Sequence, residues 1–390
     1  MKIGIDKIGF YAPSMYLDMV DLANARGVEP EKFTIGLGQE EMAVPPLYED
    51  AVTMAANAAL SILEDIDKEK IDLILVGTES GIDNSKSIAV YMHSLVGLSS
   101  RVRAVELKQA CYGATMALQL AKGHILQNPE SKVLVIATDI AKYGLNTPGE
   151  ATQGAGAVAM LVSKNPRIAI LNQENTYLTE DIMDFWRPVY SSTAFADGKF
   201  STEKYLYFFE TVFKEYCEKT KETVADFKAI CFHQPFTKLG LKALKLVLDG
   251  IEEDKKEALL ALYNSSKTYN KRIGNIYTGS LYLGLLSLLE QNNTLSAGDK
   301  IGLFSYGSGA VGEFFTITLV KDFENYLYTD KHSALLENRQ RLTINEYEAI
   351  FSTSLPEEKA TYYIENVPND RVVLCGKQDH KRIYKKNEVR

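Results

Sequence analysis

Cys111 lies in the run Val105-Glu106-Leu107-Lys108-Gln109-Ala110-Cys111-Tyr112-Gly113-Ala114-Thr115, where a short strand is expected to turn directly into a helix. A side chain at such a turn stands at the carboxyl edge of a sheet with the helix's first N–H groups aimed at it. Those groups and the helix dipole favour an anion, so the placement predicts a thiol of lowered pKa that reacts as thiolate. Gly113 and Ala114 leave room for a substrate at the sulfur. A lone cysteine at a turn can equally be buried and inert. Its partners elsewhere in the chain decide.

Three further polar features fall where strands should end: Glu79 after Ile71-Asp72-Leu73-Ile74-Leu75-Val76-Gly77-Thr78, His233 after Phe227-Lys228-Ala229-Ile230-Cys231-Phe232, and the turn Gly307-Ser308-Gly309. Functional groups of α/β sheets collect beyond the carboxyl ends of strands. Each has a bland alternative, a solvated carboxylate or a hydrogen-bonded histidine, but four at four strand ends are coherent chemistry. A thiolate attacks a thioester, and the N–H groups of Cys111 and Ser308 hold the tetrahedral oxyanion. A carboxylate in an apolar pocket has its pKa raised and can take a weakly acidic proton next to an acyl carbonyl, the role expected of Glu79. An imidazole opposite it, His233, can hydrogen-bond and protonate a ketone oxygen as it becomes an alkoxide. Lys238 and Lys242, at i and i+4, put two cations on one helix face beside this site. They are either a phosphate-facing patch or an ordinary solvated face.

The elements that must position these groups alternate. Strands are expected at Ile3 to Tyr11, Ile71 to about Glu79, Lys132 to Asp139 and Gln153 to Val162, with helices over Tyr48 to Ile66, Ser87 to Leu98 and Ala114 to about Gln127. The glycines of Ile35-Gly36-Leu37-Gly38-Gln39 and of Gln153-Gly154-Ala155-Gly156-Ala157 lack the strand and helix context of a phosphate loop, and read as a turn and as close backbone packing. A second round follows. Arg167 to Gln173 and Phe227 to Pro235 read as strands, Asp184 to Asp197 as an aromatic loop, and Thr202 to Thr220, Lys238 to Leu248 and Lys255 to Tyr263 as helices. Ile273 to Ser280 opens another helix through Leu289, and strands at Lys300 to Tyr306 and Val311 to Val320 flank the glycine turn. The repetition predicts a layered α/β fold built by internal duplication, with halves at 1–166 and 167–322. Residues 323–390 are expected to be a helical appendage and a charged, solvated tail.

With 390 residues the chain can hold such a duplicated core. A net charge of −8 argues against a nucleic-acid or membrane-surface binder. Four scattered cysteines without paired spacing suggest neither a zinc site nor a disulfide framework, and imply a reducing, cytoplasmic setting. No apolar run approaches membrane-spanning length.

The motifs together resemble the 3-hydroxy-3-methylglutaryl-CoA synthase family of the thiolase superfamily. They are Phe33-Thr34-Ile35-Gly36-Leu37-Gly38-Gln39, Gly77-Thr78-Glu79-Ser80, Ala110-Cys111-Tyr112-Gly113-Ala114, Thr152-Gln153-Gly154-Ala155-Gly156-Ala157, Phe232-His233-Gln234-Pro235-Phe236, Gly274-Asn275-Ile276-Tyr277-Thr278-Gly279-Ser280 and Ser305-Tyr306-Gly307-Ser308-Gly309. The resemblance implies a thiolase-like, duplicated αβαβα fold and a homodimer. It implies that Cys111 carries acetyl from acetyl-CoA, that Glu79 deprotonates its methyl, and that the carbanion attacks the ketone of acetoacetyl-CoA held near His233. Hydrolysis then frees the product. By the same resemblance Thr152, Ser201, Lys238, Lys242, Asn275 and Ser308 contact substrate, and Tyr143 lines the acyl pocket. Glu29 takes the place of an acidic CoA contact that is more often aspartate. Pro148 stands where animal members have asparagine, which marks a bacterial type. No metal or redox cofactor is implied; the coenzyme A thioesters are substrates.

A β-ketoacyl synthase would not need Glu79, and a biosynthetic thiolase would want a second cysteine, for which Cys217, Cys231 and Cys375 are badly placed. A polyketide-branching homologue acting on carrier-protein-bound β-ketoacyl groups remains an alternative, since Lys238 and Lys242 could serve either phosphate. A non-catalytic scaffold would not retain Glu79, Cys111 and His233 together.

Overall fold

The computed structural model describes residues 1–64 and 68–386. Its largest element is a sheet of nine strands, numbered here along the chain: β1 Ile3–Tyr11, β2 Ile71–Gly77, β3 Arg103–Leu107, β4 Lys132–Ala141, β5 Gly154–Lys164, β6 Ala169–Thr179, β7 Ala229–Phe232, β8 Lys300–Gly307 and β9 Val311–Leu319. The spatial order is β7-β8-β9-β6-β1-β5-β4-β2-β3. Read outward from the central β1–β6 pair, the first half runs β1-β5-β4-β2-β3 and the second β6-β9-β8-β7. The pairings also correspond: two antiparallel steps and then a parallel one in each half. The halves meet where β1 lies antiparallel to β6, Ile5 opposite Ala169. The duplicated scheme is thus written in the strand order.

Strands covered on both faces should be apolar on both, and β4 and β7 are. Along β4, Val133, Val135 and Ala137 enter one core while Leu134 and Ile136 enter another. Along β7, Ala229 and Cys231 join the first core and Ile230 and Phe232 a third. The shared core lies between the two halves and holds the helices Gly113–Gln127 and Ser280–Glu290. Ala51–Ile62 and Ile88–Leu95 cover the first half from outside; Gly198–Thr220 and Thr237–Leu246 cover the second. The result is five layers, αβαβα. The two central helices are joined across the layer by a 2.6 Å hydrogen bond between Thr115 Oγ1 and the Tyr282 hydroxyl, and Thr115 also donates to Ser305 of β8 at 2.7 Å.

The predicted Tyr48 to Ile66 helix is Ala51–Ile62, started by a capping box between Asp50 and Thr53; the predicted end at Ile66 lies outside the described residues. The segment after Phe323 differs from its expectation. It contains the helices Thr329–Glu337 and Ile344–Phe351, and also a three-stranded antiparallel sheet of Tyr362–Tyr363, Val373–Gln378 and Lys381–Lys385. The short apolar run Val372-Val373-Leu374 is buried. Its charged neighbours are not merely solvated: Arg371 and Arg382 pair with Glu49 and Asp50 at the start of the Ala51–Ile62 helix.

Candidate active site

β3 ends at Leu107, and after five intervening residues the helix Gly113–Gln127 begins. Cys111 lies in this turn, held by a left-handed Ala110 with φ 40°. Two glycines let the turn pack this closely. A Cβ on Gly77, at the end of β2, would lie 2.3 Å from Ala114 N, and one on Gly307 would lie 2.6 Å from Gln109 O. The strand ends therefore touch the thiol's own turn. The thiolate expected from the helix N-terminus is not what this fold provides. Burial, followed by the Glu79 and Asp139 carboxyls, pushes the Cys111 thiol well above its ordinary pKa. Desolvation outweighs the dipole, and the sulfur rests as thiol.

That thiol donates to Glu79 Oε1 at 3.3 Å. Glu79 is only 9% exposed. Burial first, then Asp139, raises its carboxyl to about 8, with Arg187 and the Cys111 hydrogen bond pulling the other way. Asp139, at the end of β4 and fully buried, fixes the loop that carries the glutamate. Its Oδ1 accepts from Glu79 N at 2.8 Å, Thr78 Oγ1 at 3.0 Å and Ser80 Oγ at 2.8 Å. Its Oδ2 accepts from Thr278 N at 3.1 Å and from the Thr278 hydroxyl. Burial also raises Asp139, to about 6, against these donors. Two crowded carboxyls thus favour protonation of Glu79 at rest.

His233 follows β7 and is buried; its N–H donates to Phe304 O at 2.8 Å and its carbonyl accepts from the Tyr205 hydroxyl at 2.6 Å. Burial lowers its imidazole to about 3, so it is neutral across working pH. Of the two roles expected of this imidazole, hydrogen-bonding and protonating a ketone oxygen, a neutral ring suits the hydrogen bond. Asn275 is oriented by Tyr277 N and Ser280 Oγ, which donate to its Oδ1 at 2.8 and 3.0 Å, leaving Nδ2 to reach the Tyr143 hydroxyl at 3.4 Å.

Cys111, Tyr143, Thr152, Ser201, His233, Asn275 and Ser308 line one cavity of about 300 Å³, whose walls also include Phe185, Tyr205, Phe236, Leu239 and Tyr306. Glu79 sits behind the thiol. Three other expected residues lie outside this cavity. Lys238 is half-buried and Lys242 exposed on the helix Thr237–Leu246, whose Leu239 faces the cavity instead. Glu29 is exposed, next to Val28 of a second cavity of about 260 Å³ that meets the first at Pro148.

Sequence reasoning passed over two structuring carboxylates, Asp139 and Asp184. Fully buried Asp184 accepts from Ser201 Oγ at 3.0 Å, the Tyr306 hydroxyl at 2.9 Å and Gly309 N at 2.8 Å, tying the aromatic loop to the glycine turn. The available signal was an aspartate closing the apolar run of β4, and another opening the aromatic loop.

A five-layer duplicated fold with a thiol, a carboxyl, an imidazole and an amide gathered at one cavity defines a thiolase-like condensing acyltransferase. Matches to known proteins narrow this class. The family model Hydroxymethylglutaryl-coenzyme A synthase N terminal matches residues 1–167, and its C-terminal counterpart matches 170–260 and 250–369. The chain belongs to the hydroxymethylglutaryl-CoA synthase family. It is 53% identical to Hydroxymethylglutaryl-CoA synthase of Enterococcus faecalis, over 95% of this chain and 98% of that one. It is 33% identical to the polyketide biosynthesis 3-hydroxy-3-methylglutaryl-ACP synthase of Bacillus subtilis, over 91% and 89% of the two chains. Among solved structures, HMG-CoA synthase complexed with CoA superposes with TM-score 0.96 at 48% identity, covering 99% of this chain and all of that one. The HMG synthase of the curacin pathway, in complex with holo donor-ACP, superposes with TM-score 0.92 at 30% identity over the same shares.

Proposed function

We infer that the chain condenses acetyl-CoA with acetoacetyl-CoA and water to give 3-hydroxy-3-methylglutaryl-CoA and CoA, as the hydroxymethylglutaryl-CoA synthase of the mevalonate route to isoprenoids. The observation that carries this reading is the Cys111–Glu79 hydrogen bond at one end of a cavity that also holds His233 and Asn275. The Cys111 thiol loses its proton and attacks the acetyl carbonyl, releasing CoA and leaving acetyl on sulfur. Glu79 then takes a proton from the acetyl methyl, and the carbanion attacks the ketone of acetoacetyl-CoA. His233 and Asn275 donate hydrogen bonds to the oxygen as it gains charge, which then takes up a proton. Water cleaves the Cys111 thioester and restores the thiol. Backbone N–H groups of Cys111 and Ser308 are assigned to the oxyanion of each acyl transfer. Thr152 and Ser201 line the substrate cavity, while Lys238, Lys242 and Glu29 are assigned to the outer reach of the coenzyme A chain.

The working unit is inferred to be a cytoplasmic homodimer. β3 is an edge strand with Val105 exposed, and Met116 and Leu120 are exposed on the helix after it. Unpaired strand edges beside apolar side chains favour pairing with a second copy.

A second reading has a specific basis in the Bacillus subtilis ACP synthase relative, namely transfer from an acetylated carrier protein. Intact-mass measurement separates the two. Acetyl-CoA alone should leave an acetyl adduct on the parent and, more slowly, on Glu79→Gln, but none on Cys111→Ala. Acetoacetyl-CoA should then discharge the adduct to a six-carbon CoA product in the parent only. Acetylation by acetyl-carrier protein and not by acetyl-CoA would establish the second reading; acetylation by neither would end both.

A further inference from the structure

Along β9 the side chains of Phe315, Ile317 and Leu319 enter the core shared by the two halves. The two-residue period of a strand puts Glu313 in the same row, and it is buried there. A carboxyl in an apolar row costs stability unless donors surround it. Glu313 has three. Its Oε2 accepts from the Tyr112 hydroxyl at 2.7 Å, and its Oε1 accepts from Gln119 Nε2 at 2.8 Å and from Asn175 Nδ2 at 3.1 Å. Gln119 lies on the helix Gly113–Gln127 and Asn175 on β6. Tyr112 is the residue directly after the nucleophile.

This contact is one of three that hold the Cys111 turn. Ser305 of β8 pairs with Glu313 across the two strands, and its hydroxyl accepts from Thr115 in the first turn of the helix. On the other side of the thiol, Gln109 Nε2 donates to Ser308 O at 3.1 Å. Ser305, Ser308 and Glu313 all belong to β8, β9 and the glycine turn between them, whereas the turn they hold belongs to the first half. The second half therefore sets where the first half's nucleophile stands. There is little slack at Tyr112, since a Cβ on Gly307 would lie 2.7 Å from its backbone N. A displaced phenol is thus passed to the backbone beside the sulfur. Neither Tyr112 nor Glu313 lines the acyl cavity, so any effect of theirs on the chemistry runs through Cys111.

We propose that Glu313 is a positioning residue for Cys111: by holding the Tyr112 phenol it fixes the direction in which the turn presents its sulfur and its backbone N–H to an incoming thioester. The proposal rests on the acyl-transfer reading above. A merely structural carboxyl would move the denaturant midpoint and leave the rate per folded molecule unchanged. A residue that binds substrate would instead change the affinity for acetyl-CoA.

The test is single-turnover acetylation of the full chain by acetyl-CoA, followed by intact mass, in the parent, Glu313→Ala, Glu313→Gln, Tyr112→Phe and the double variant Glu313→Ala/Tyr112→Phe. Glu313→Ala and Tyr112→Phe should each lower the maximal rate per folded molecule by about 10-fold, with the half-saturating acetyl-CoA concentration little changed. The double variant should be no slower than Glu313→Ala, since both changes remove the same link. Glu313→Gln should stay close to the parent, because its amide oxygen can accept from Gln119 and Asn175 while its N–H donates to the Tyr112 oxygen. A parental rate in Tyr112→Phe, losses that multiply in the double variant, or a Gln variant as slow as the Ala variant would overturn the proposal while leaving the acyl-transfer reading intact. If Glu313→Ala fails to fold, Tyr112→Phe, which removes a single hydroxyl, decides by its rate alone. A parent that takes acetyl from neither acetyl-CoA nor acetyl-carrier protein would remove both.

Discussion

The Cys111 thiol donates its hydrogen bond to Glu79 Oε1 across 3.3 Å, so nucleophile and base are in direct contact before any substrate arrives. Neither is charged by preference. Burial holds the thiol's proton on, and burial with Asp139 raises Glu79 to about 8. The site is dry enough to keep its groups neutral until a thioester provides a reason to move the proton.

That suppression should be visible in stability. The unfolded glutamate ionises near 4.5 and the folded one near 8, so between those values the native state binds the extra proton and loses stability as pH rises. Glu79→Gln lacks this penalty. Its advantage over the parent should grow from about pH 5 to about pH 8 and then level off. Denaturant unfolding of both proteins across that range measures it; a difference independent of pH would mean that Glu79 ionises normally in the fold.

His233 titrates in the other direction. Its folded value, about 3, lies below the ordinary 6.5, so the unfolded state takes up the proton first and stability is lost as pH falls from about 6.5 towards 3. Ring ¹⁵N shifts should report a neutral imidazole throughout the active pH range. His233→Phe should lower condensation by about 10²–10³-fold while leaving acetylation of Cys111 nearly intact, as expected for one lost oxyanion donor. A ring that charges near pH 6.5 would restore the proton-donor role.

Gly77 tests how finely the turn is placed. With a Cβ 2.3 Å from Ala114 N, Gly77→Ala must push the start of the Cys111 helix away from β2. A shift of about 1 Å at reacting atoms costs about 10²-fold in rate. Single-turnover acetylation of Gly77→Ala should fall by that order with little change in acetyl-CoA affinity. Wild-type rates would show that the turn can relax without moving sulfur.

Strand ends were legible because β2, β7 and β8 are apolar runs that stop abruptly and the short β3 runs straight towards a helix, and Glu79, His233, Ser308 and Cys111 are the polar groups that follow. Their protonation was less legible. A helix N-terminus is a local feature, whereas the desolvation that outweighs it at Cys111 comes from layers distant in sequence. Asp139 and Asp184 were passed over because their donors, Thr278 for one and Ser201, Tyr306 and Gly309 for the other, converge only in three dimensions. Lys238 and Lys242 share a helix face as their spacing requires, yet Leu239 is what that helix turns to the cavity. After Phe323, strands such as Tyr362–Tyr363 are too short to leave a period, and their Lys and Arg neighbours read as solvent-facing until Glu49 and Asp50 arrive to meet them.

The two halves share a strand order except at their ends: β3 extends the first half, and among the described residues the large sheet has no counterpart beyond β7. β7 is wholly buried, whereas β3 is partly open, with Val105 45% exposed. A sheet open at one margin only can be lengthened once. In the homodimer inferred above, two copies joined margin to margin would each use their single unpaired row, and a third copy would find none to occupy. The unequal length of the halves therefore sets a ceiling of two on growth through this sheet, a stopping rule written into the strand count.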